Sequence, residues 1–251
     1  MPKVVLPIAN GFYESDSLPI SAQECVNFYP NIAQAPALNQ ETLYGTAGLE
    51  EVANANSLTG NRGAHEMNGV PYFVIAGRLY SMAADFTLTF IGEIAGDTRV
   101  SMADNGTQLL VLVPNGNGYI YNHVADTFAQ ITDSDFTANG NPQLVVYIDG
   151  FFCLTTDSKK FIVSALNDGL SYNALDFGTA ESDPDEIVAP IVFKNQLFIG
   201  GSQTIEAFQN IGGADFPFQR TGLFLSKGIA SPFSIQSLQG TFVFIGSGQN
   251  E

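Results

Sequence analysis

One hairpin pattern recurs five times in this chain of 251 residues, and the recurrence limits the folds that the chain can adopt. The first copy is the stretch NGVPYFVIAGRLY, which begins at Asn68. When the copies are aligned at their first turn, successive copies lie 37, 44, 45 and 45 residues apart. A regular period of this length predicts a repeat architecture. The aligned turn positions are Gly69, Gly106, Gly150, Asn195 and Gly240.

Each copy has the chemistry of a β-hairpin. A polar turn, which is Asn-Gly or Asp-Gly in three of the five copies, precedes an apolar run, a second turn and another strand. Asn, Asp and Gly accept the positive φ angles that tight turns require. The apolar runs are continuous, which indicates strands covered on both faces by neighbouring sheets. These runs are residues 73–75, 109–113, 151–154 and 242–245, and weaker outer strands are expected at 88–94, 127–132, 170–177 and 216–222.

The repeat predicts an all-β fold, a β-propeller-like array of four-stranded blades, because one blade alone cannot bury both of its faces. We expect an extended N-terminal arm at residues 1–61 and the propeller at 62–251. The last apolar run ends shortly before Glu251 and would leave an unpaired strand edge, so we expect the C-terminal part to be missing. The blades are expected at 62–97, 98–139, 140–182 and 183–222, with an incomplete fifth from 223.

The charge balance argues against a grip on nucleic acid. The chain has nine basic and 25 acidic residues, which gives a net charge of −16. Binding to phosphates needs Lys and Arg on one face of the protein. The excess of acids either keeps the protein soluble or forms a surface that repels DNA. Arginine is too scattered to predict a cluster that clamps an anion: Arg62, Arg78, Arg99 and Arg220 are the full set.

Catalytic chemistry has few candidates, and we expect no enzyme, no cofactor and no metal. His65 and His123 are the only histidines, and neither lies in a catalytic motif, which favours a core or surface role for both. Cys25 and Cys153 lack the spacing of a metal or redox site and are interpreted as small buried hydrophobes. The stretch 164–169 is interpreted as a hairpin turn built on Asn-Asp-Gly.

An acidic stretch at residues 176–186 leaves one alternative open. Its carboxylates surround Pro184 and suit either a hard-cation loop or a solvated turn. The alternating Asp positions and central Gly of a known calcium loop are absent, which favours the turn.

The N-terminal residues do not predict a targeting signal. The N-terminal MPKVVLPIANG is broken by Pro2 and Pro7 and does not match a secretory signal. No apolar run approaches the ~18 residues of a membrane span, so we expect the protein to be made in the cytosol.

Six collinear stretches together resemble a known family. They are residues 6–31, LYGTAGLEEV from Leu43, RGAHEMNGVPYFVIAGRLYSM from Arg62, the link at 91–106, LDFGTAESDPDEIV, and FIGGSQTIEAFQNIG followed by LSKGIASP. In this order and at this spacing they resemble the packaged DNA stabilisation proteins of short-tailed bacteriophages (podoviruses), which form tail hubs.

The resemblance implies a structural virion protein of the phage tail, assembled in the host cytoplasm. Such a protein forms a ring, a hexamer in well-known relatives, below the portal and adaptor. The ring would close the DNA exit channel, retain packaged DNA, and attach tail spikes or the needle. The arm would contact a neighbouring subunit or tail protein, because its aromatic residues have no blade of their own to bury them. A negatively charged channel would let DNA pass without specific binding.

Two alternatives to the tail hub are a carbohydrate-binding (lectin-like) β-propeller and a glycoside-cleaving one. A glycosidase needs two carboxylates about 5–10 Å apart, and 25 acids make such pairs inevitable. The absence of Trp removes the usual stacking platform for sugars. Neither alternative gains support from a specific motif.

Overall fold

The computed structural model describes residues 26–32, 41–56, 60–180, 186–213 and 216–247. The chain divides into two compact units, Met1–Val52 and Ala53–Glu251. Within the described residues, no helix combines the length and apolar character needed to cross a membrane. The one helix found in them is a single 3-10 turn at Ser134–Thr137.

The described part of the first unit contains a hairpin of two strands, β1 (Phe28–Ile32) and β2 (Glu41–Gly45). Tyr29 and Tyr44 lie directly opposite each other across this hairpin. Their rings stack with centroids 5.8 Å apart, which is the kind of cross-strand aromatic pair that fixes strand register. Cys25, which the sequence predicts to be buried, lies outside the described residues, as do Phe12 and Tyr13, two aromatic residues of the predicted arm.

The second unit contains four antiparallel sheets, each of four strands in chain order. Blade 1 comprises β3 (Asn61–Met67), β4 (Val70–Ile75), β5 (Arg78–Met82) and β6 (Leu88–Glu93). Blade 2 comprises β7 (Ser101–Asp104), β8 (Gln108–Leu112), β9 (Gly118–Asn122) and β10 (Thr127–Gln130). Blade 3 comprises β11 (Pro142–Ile148), β12 (Phe151–Thr156), β13 (Lys160–Ala165) and β14 (Asp168–Thr179). Blade 4 comprises β15 (Ile187–Phe193), β16 (Gln196–Gly201), β17 (Ile205–Asn210) and β18 (Phe218–Leu225).

Four short strands follow blade 4. β19 (Gly228–Ile229) pairs with β22 (Gly246–Ser247), and β20 (Gln236–Leu238) pairs with β21 (Thr241–Val243). The apolar run predicted at 242–245 therefore begins in β21, which ends at Val243. The prediction of an all-β chain of four-stranded blades is confirmed.

The aligned turn positions all lie between the first and second strands of their hairpins. In blades 1 and 3 both turn residues have positive φ: 55° and 78° at Asn68 and Gly69, and 51° and 92° at Asp149 and Gly150. Blade 4 adopts the same backbone without glycine, at φ 47° for Lys194 and 58° for Asn195. The shared left-handed backbone explains why the sequence repeats Asn, Asp and Gly at this point.

The core consists of the contact regions between neighbouring blades, which we call seams. Strand β8 shows how one strand serves two of them: Leu109 and Val111 pack against blade 1, whereas Leu110 and Leu112 pack against blade 3. All four side chains have no exposed surface. Successive residues of a strand point to opposite faces, so burial on both faces requires the continuous apolar run seen in the sequence.

Candidate functional site

The first strands of the four blades, β3, β7, β11 and β15, contact one another in sequence. A hydroxyl joins two of them: the Ser101 Oγ on β7 accepts a hydrogen bond of 3.0 Å from the Val145 amide on β11. These first strands bring parts of all four blades to the wall of one cavity of about 290 Å³. This cavity is lined by Gly63, Ala64, Arg99, Val100, Ser101, Met102, Leu144, Val145, Pro190, Pro232, Phe233, Ile235 and Gln236.

Arg99 is the single charged residue among the described residues that line this cavity. Its guanidinium carbon lies 4.1 Å from the centroid of the Phe233 ring, a cation–π contact that joins the link between blades 1 and 2 to the segment after blade 4. Acid–base catalysis needs a titratable donor or acceptor near neutrality, and the lining offers an arginine, hydroxyl and amide groups, and apolar side chains. The cavity therefore suits contact with an apolar or anionic group better than acid–base chemistry.

Arg62 forms a second feature near this cavity. Its side chain is buried and donates to four backbone carbonyls, those of Ala76 (2.9 Å), Ile94 (3.1 Å), Ala95 (3.1 Å) and Thr98 (2.7 Å). Burial lowers the pKa of the guanidinium, and the nearby carboxylate of Asp97 opposes that shift. Arg62 thereby fastens the link that leads from blade 1 to blade 2.

The four arginines are spread over the blades, except that the structure brings Arg62 and Arg99 close together, which their spacing in the sequence does not indicate. Arg62 and Arg99 share a more open cavity with Asp97. Arg78 lies over the ring of Phe90. The Arg220 Nε lies 2.6 Å from the buried Glu206 Oε2, so this buried carboxylate has a charged partner.

Both histidines converge on the turn between β7 and β8. The His65 Nε2 lies 2.6 Å from the Asp104 Oδ2, and the Asp104 Oδ1 accepts a 2.8 Å hydrogen bond from the Gly106 amide. The Gly106 carbonyl lies 3.0 Å from the His123 Nε2 and also accepts from the Asn68 Nδ2 at 2.7 Å. The sequence places the histidines on different blades, and the structure joins those blades at this turn. Both histidines thus form hydrogen bonds at a partly exposed turn.

Two tyrosines lie next to this turn. The Tyr72 and Tyr121 rings have centroids 5.9 Å apart. Burial and then the hydrogen bond to Asp126 raise the pKa of Tyr121 to about 12. Burial and then the charge of Asp104 raise the pKa of Tyr72. Both phenols are therefore protonated at neutral pH and act as hydrogen-bond donors or packing groups.

Cys153 is buried between blades 3 and 4, as predicted. Burial raises the pKa of its thiol far above the ordinary value, so the reactive thiolate is disfavoured.

The hairpin turn predicted at 164–169 is confirmed: Ala165 pairs with Asp168, and Asn167 has a φ of 55°. In the acidic stretch 176–186, residues 181–185 lie outside the described part. Elsewhere in the described part, no group of three or more His, Cys, Asp or Glu residues could hold a metal ion.

Comparison with known families decides the relationship of the chain. Residues 4–251 match the family described as "Bacteriophage P22 Gp10, beta-propeller". The chain belongs to this family. The family description and the four-stranded sheets agree on the fold.

A curated relative is the tail hub protein gp10 of Salmonella phage P22, which is 28% identical over 225 residues. The match covers 78% of this chain and 46% of that protein, so the chain spans about half the length of the curated relative it matches.

Two solved structures share the fold at low identity. One is the computationally designed Ika8 protein, with a TM-score of 0.52, 9% identity, and coverage of 88% of this chain and 65% of that one. The other is YCF48 bound to a D1 peptide, with a TM-score of 0.55, 8% identity, and coverage of 82% and 65%. At this identity they support the architecture alone.

Proposed function

We propose that the protein is a structural component of a bacteriophage tail. The observation that carries this proposal is the family match over residues 4–251, together with the P22 tail hub protein as a relative. The location that follows is the virion tail, reached by assembly in the host cytoplasm. The described residues lend support, because the polar groups near the cavity lined by the first strands join strands and links to one another.

Within that role, the protein forms a homo-oligomeric ring below the portal and adaptor. The ring closes the DNA exit channel, retains packaged DNA, and carries tail spikes or the needle. Support comes from the relative in phage P22, which is a tail hub protein, and from blades that are joined through buried seams. Such a wall resists deformation because buried side chains pack at crystal-like density.

The net charge of −16 supports passage of DNA without specific binding. Every Lys or Arg that grips a phosphate would slow ejection and make it depend on salt. Negative charge on the channel wall would keep the duplex off the wall over about 8 Å at physiological salt. We therefore propose that the ring retains DNA by steric closure.

Residues 1–61 act as an arm that contacts a neighbouring subunit or tail protein. The hairpin of β1 and β2 supports this role, because Phe28, Tyr29 and Tyr44 are all exposed on it. Large exposed aromatics in a short hairpin are a typical means of attachment to another surface. Removal of residues 1–60 should leave the blades folded and impair assembly of the ring.

A knockout of the gene in the phage that carries it tests the proposed function. We expect heads that package DNA and then lose it, with full recovery when the intact gene is supplied in trans. Mass spectrometry of purified wild-type particles should detect the chain, and electron microscopy should place it in the tail. Infectious particles that retain DNA without the chain would contradict the proposal.

A further inference from the structure

One end of the blades forms a distinct surface. Strands in each blade alternate in direction, so the turn between the first and second strands and the turn between the third and fourth strands lie at the same end. We call the surface formed by these turns in blades 1–4 the turn face. The opposite end, with the remaining turns and the links between blades, is the link face.

Each blade presents one large apolar side chain at the turn between its third and fourth strands. Phe86, Val124, Leu166 and Ile211 occupy these positions in blades 1, 2, 3 and 4. Their exposed fractions are 49%, 73%, 62% and 59%. A single exposed apolar residue needs no explanation, whereas the same placement in four successive blades marks an interaction surface.

Phe86 is held outward by an unfavourable backbone conformation. Its φ is 67°, which is rare for a bulky side chain and tends to occur at functional positions. Two backbone hydrogen bonds maintain the turn, from the Phe86 amide to the Ala83 carbonyl and from the Ala83 amide to the Thr87 carbonyl, both 2.9 Å.

A groove of about 540 Å³ opens beside Phe86 on the turn face. Val70, Pro71, Met82 and Ala84 contribute to its lining, which has a mainly apolar character. We call the four exposed side chains Phe86, Val124, Leu166 and Ile211 the apolar tips. The turn face therefore has apolar side chains that protrude and an apolar groove that could accept a side chain of a partner.

Carboxylates surround the apolar tips. In the described part of the turn face, six acidic residues compare with one lysine, Lys194. Glu66, Asp85, Asp126 and Asp149 are exposed, and Asp104 and Asp168 are half-buried. The link face mixes both signs, because Arg62, Arg78, Arg99, Lys159 and Lys160 lie at that end. The two faces therefore differ in the partner that they would attract.

We propose that the turn face docks a different protein, whose contact surface combines apolar sockets with lysine and arginine side chains. Charge complementarity selects this partner, because the turn face of a second copy would bring the same carboxylates to the contact. DNA is disfavoured by the same carboxylates. The proposal rests on the proposed function, since the partner would be another protein of the same particle.

Site-directed photo-crosslinking within the assembled particle tests the proposal. Val124→p-benzoylphenylalanine and Leu166→p-benzoylphenylalanine place apolar crosslinkers on the turn face, and Lys159→p-benzoylphenylalanine provides the matched control on the link face. After irradiation, mass spectrometry identifies the residues joined to each position. We expect crosslinks from 124 and 166 to one different protein, at sites flanked by Lys or Arg, and none to that protein from 159.

A charge test separates docking from mere proximity. The triple change Asp85→Asn, Asp126→Asn and Asp168→Asn removes three charges and keeps the Oδ1 atoms that accept from Thr87, Tyr121 and Leu170. We expect the crosslink yield at 124 and 166 to fall severalfold and its dependence on salt to weaken. A circular dichroism spectrum equal to that of the unchanged protein confirms that the blades remain folded.

The outcomes distinguish the two proposals. Particles that lack the chain would overturn the tail function and the docking surface together. Particles that contain it, with crosslinks from 124 and 166 only to a second copy or to no protein, would overturn the docking surface alone. An unchanged yield in the triple Asn variant would also overturn it.

Discussion

The seam between blades 1 and 2 and the seam between blades 3 and 4 join equivalent strands by different means. The first packs aliphatic side chains with tyrosines and has hydrogen bonds at both ends, from Arg62 to the link and from His65 to Asp104. The second packs five phenylalanines among smaller apolar side chains: Phe151, Phe161, Phe208, Phe216 and Phe218. The centroid of the Phe161 ring lies 4.9 Å from that of Phe208 and 5.6 Å from that of Phe216, and both contacts have edge-to-face geometry.

The difference shows that repeats with the same backbone can be joined to their neighbours by different interactions. Aromatic packing stabilises the blade 3 and blade 4 seam through buried area, which depends little on pH. Hydrogen bonds contribute less net free energy each but fix direction, so they set the relative register of blades 1 and 2. Four predictions, ordered by the size of the expected effect, test this contrast and extend it to the seam between blades 2 and 3.

Phe161→Ala should cause the largest loss of stability, because Phe161 has no exposed surface and lies at the centre of the aromatic seam. We expect the free energy of unfolding to fall by about 3–5 kcal/mol. Urea denaturation measures this change. Phe90→Ala is the control, since Phe90 is exposed and its loss should cost far less. Equal costs at the two positions would contradict an aromatic basis for the seam.

Arg62→Met should destabilise the blade 1 and blade 2 seam by about 2–3 kcal/mol, because buried carbonyls lose their donors. Arg62→Lys should recover part of the loss, since an ammonium group reaches fewer carbonyls. Hydrogen exchange should show faster opening of residues 94–100 than of β12 in Arg62→Met. Uniform acceleration across all blades would argue against a local fastening role.

Asp133 should make the seam between blades 2 and 3 sensitive to acid. Its carboxylate accepts from the Tyr172 amide at 2.9 Å and the Asp135 amide at 3.0 Å, and these bonds hold its pKa below the ordinary value. A lowered folded pKa contributes stability above the unfolded pKa of about 3.9, and that contribution disappears as pH falls through the folded value.

Asp133→Asn should lower the free energy of unfolding at pH 7 by about 1–2 kcal/mol, because one acceptor becomes a donor facing the Tyr172 amide. The difference from the unchanged protein should shrink below about pH 4. Urea midpoints measured from pH 3 to pH 7 check both statements. A difference that stays constant over this range would refute the linkage.

The His65 and Asp104 pair should have the smallest effect. A double-mutant cycle with His65→Gln and Asp104→Asn should give a coupling free energy of about 0.5–1 kcal/mol, because the pair is partly exposed. His123→Gln combined with Asp104→Asn provides the comparison, since His123 contacts the Gly106 carbonyl instead. A coupling free energy larger than the loss of stability caused by Arg62→Met would contradict the expectation that Arg62 contributes more to this seam than the His65 and Asp104 pair.

The sequence allows prediction of the blades because their signals are local. Positive φ at Gly69 and Gly150 demands particular turn residues, and burial of β8 and β12 on both faces demands continuous apolar runs. These signals lie within about ten residues of one another along the chain.

The contacts between blades could not be predicted from local sequence signals. His65 and Asp104 are 39 positions apart, and the residues between them give no measure of the angle at which two sheets meet. The carbonyl partners of Arg62 leave no trace in side-chain identity, since every residue has a carbonyl. The apolar tips at Val124 and Leu166 fall inside turn sequences and become a pattern only when the turns share one end.

The two-sided strand at the centre of each blade also bears on how such a chain could arise. Leu109 and Val111 fit one neighbour while Leu110 and Leu112 fit the other, so a single segment of gene encodes both halves of a joint. Duplicating that whole segment yields a copy that can be inserted beside its parent with matching joints already in place. Duplicating half of it yields a mismatch on one side. The steps of 44, 45 and 45 residues are what a history of whole-segment copying would leave behind.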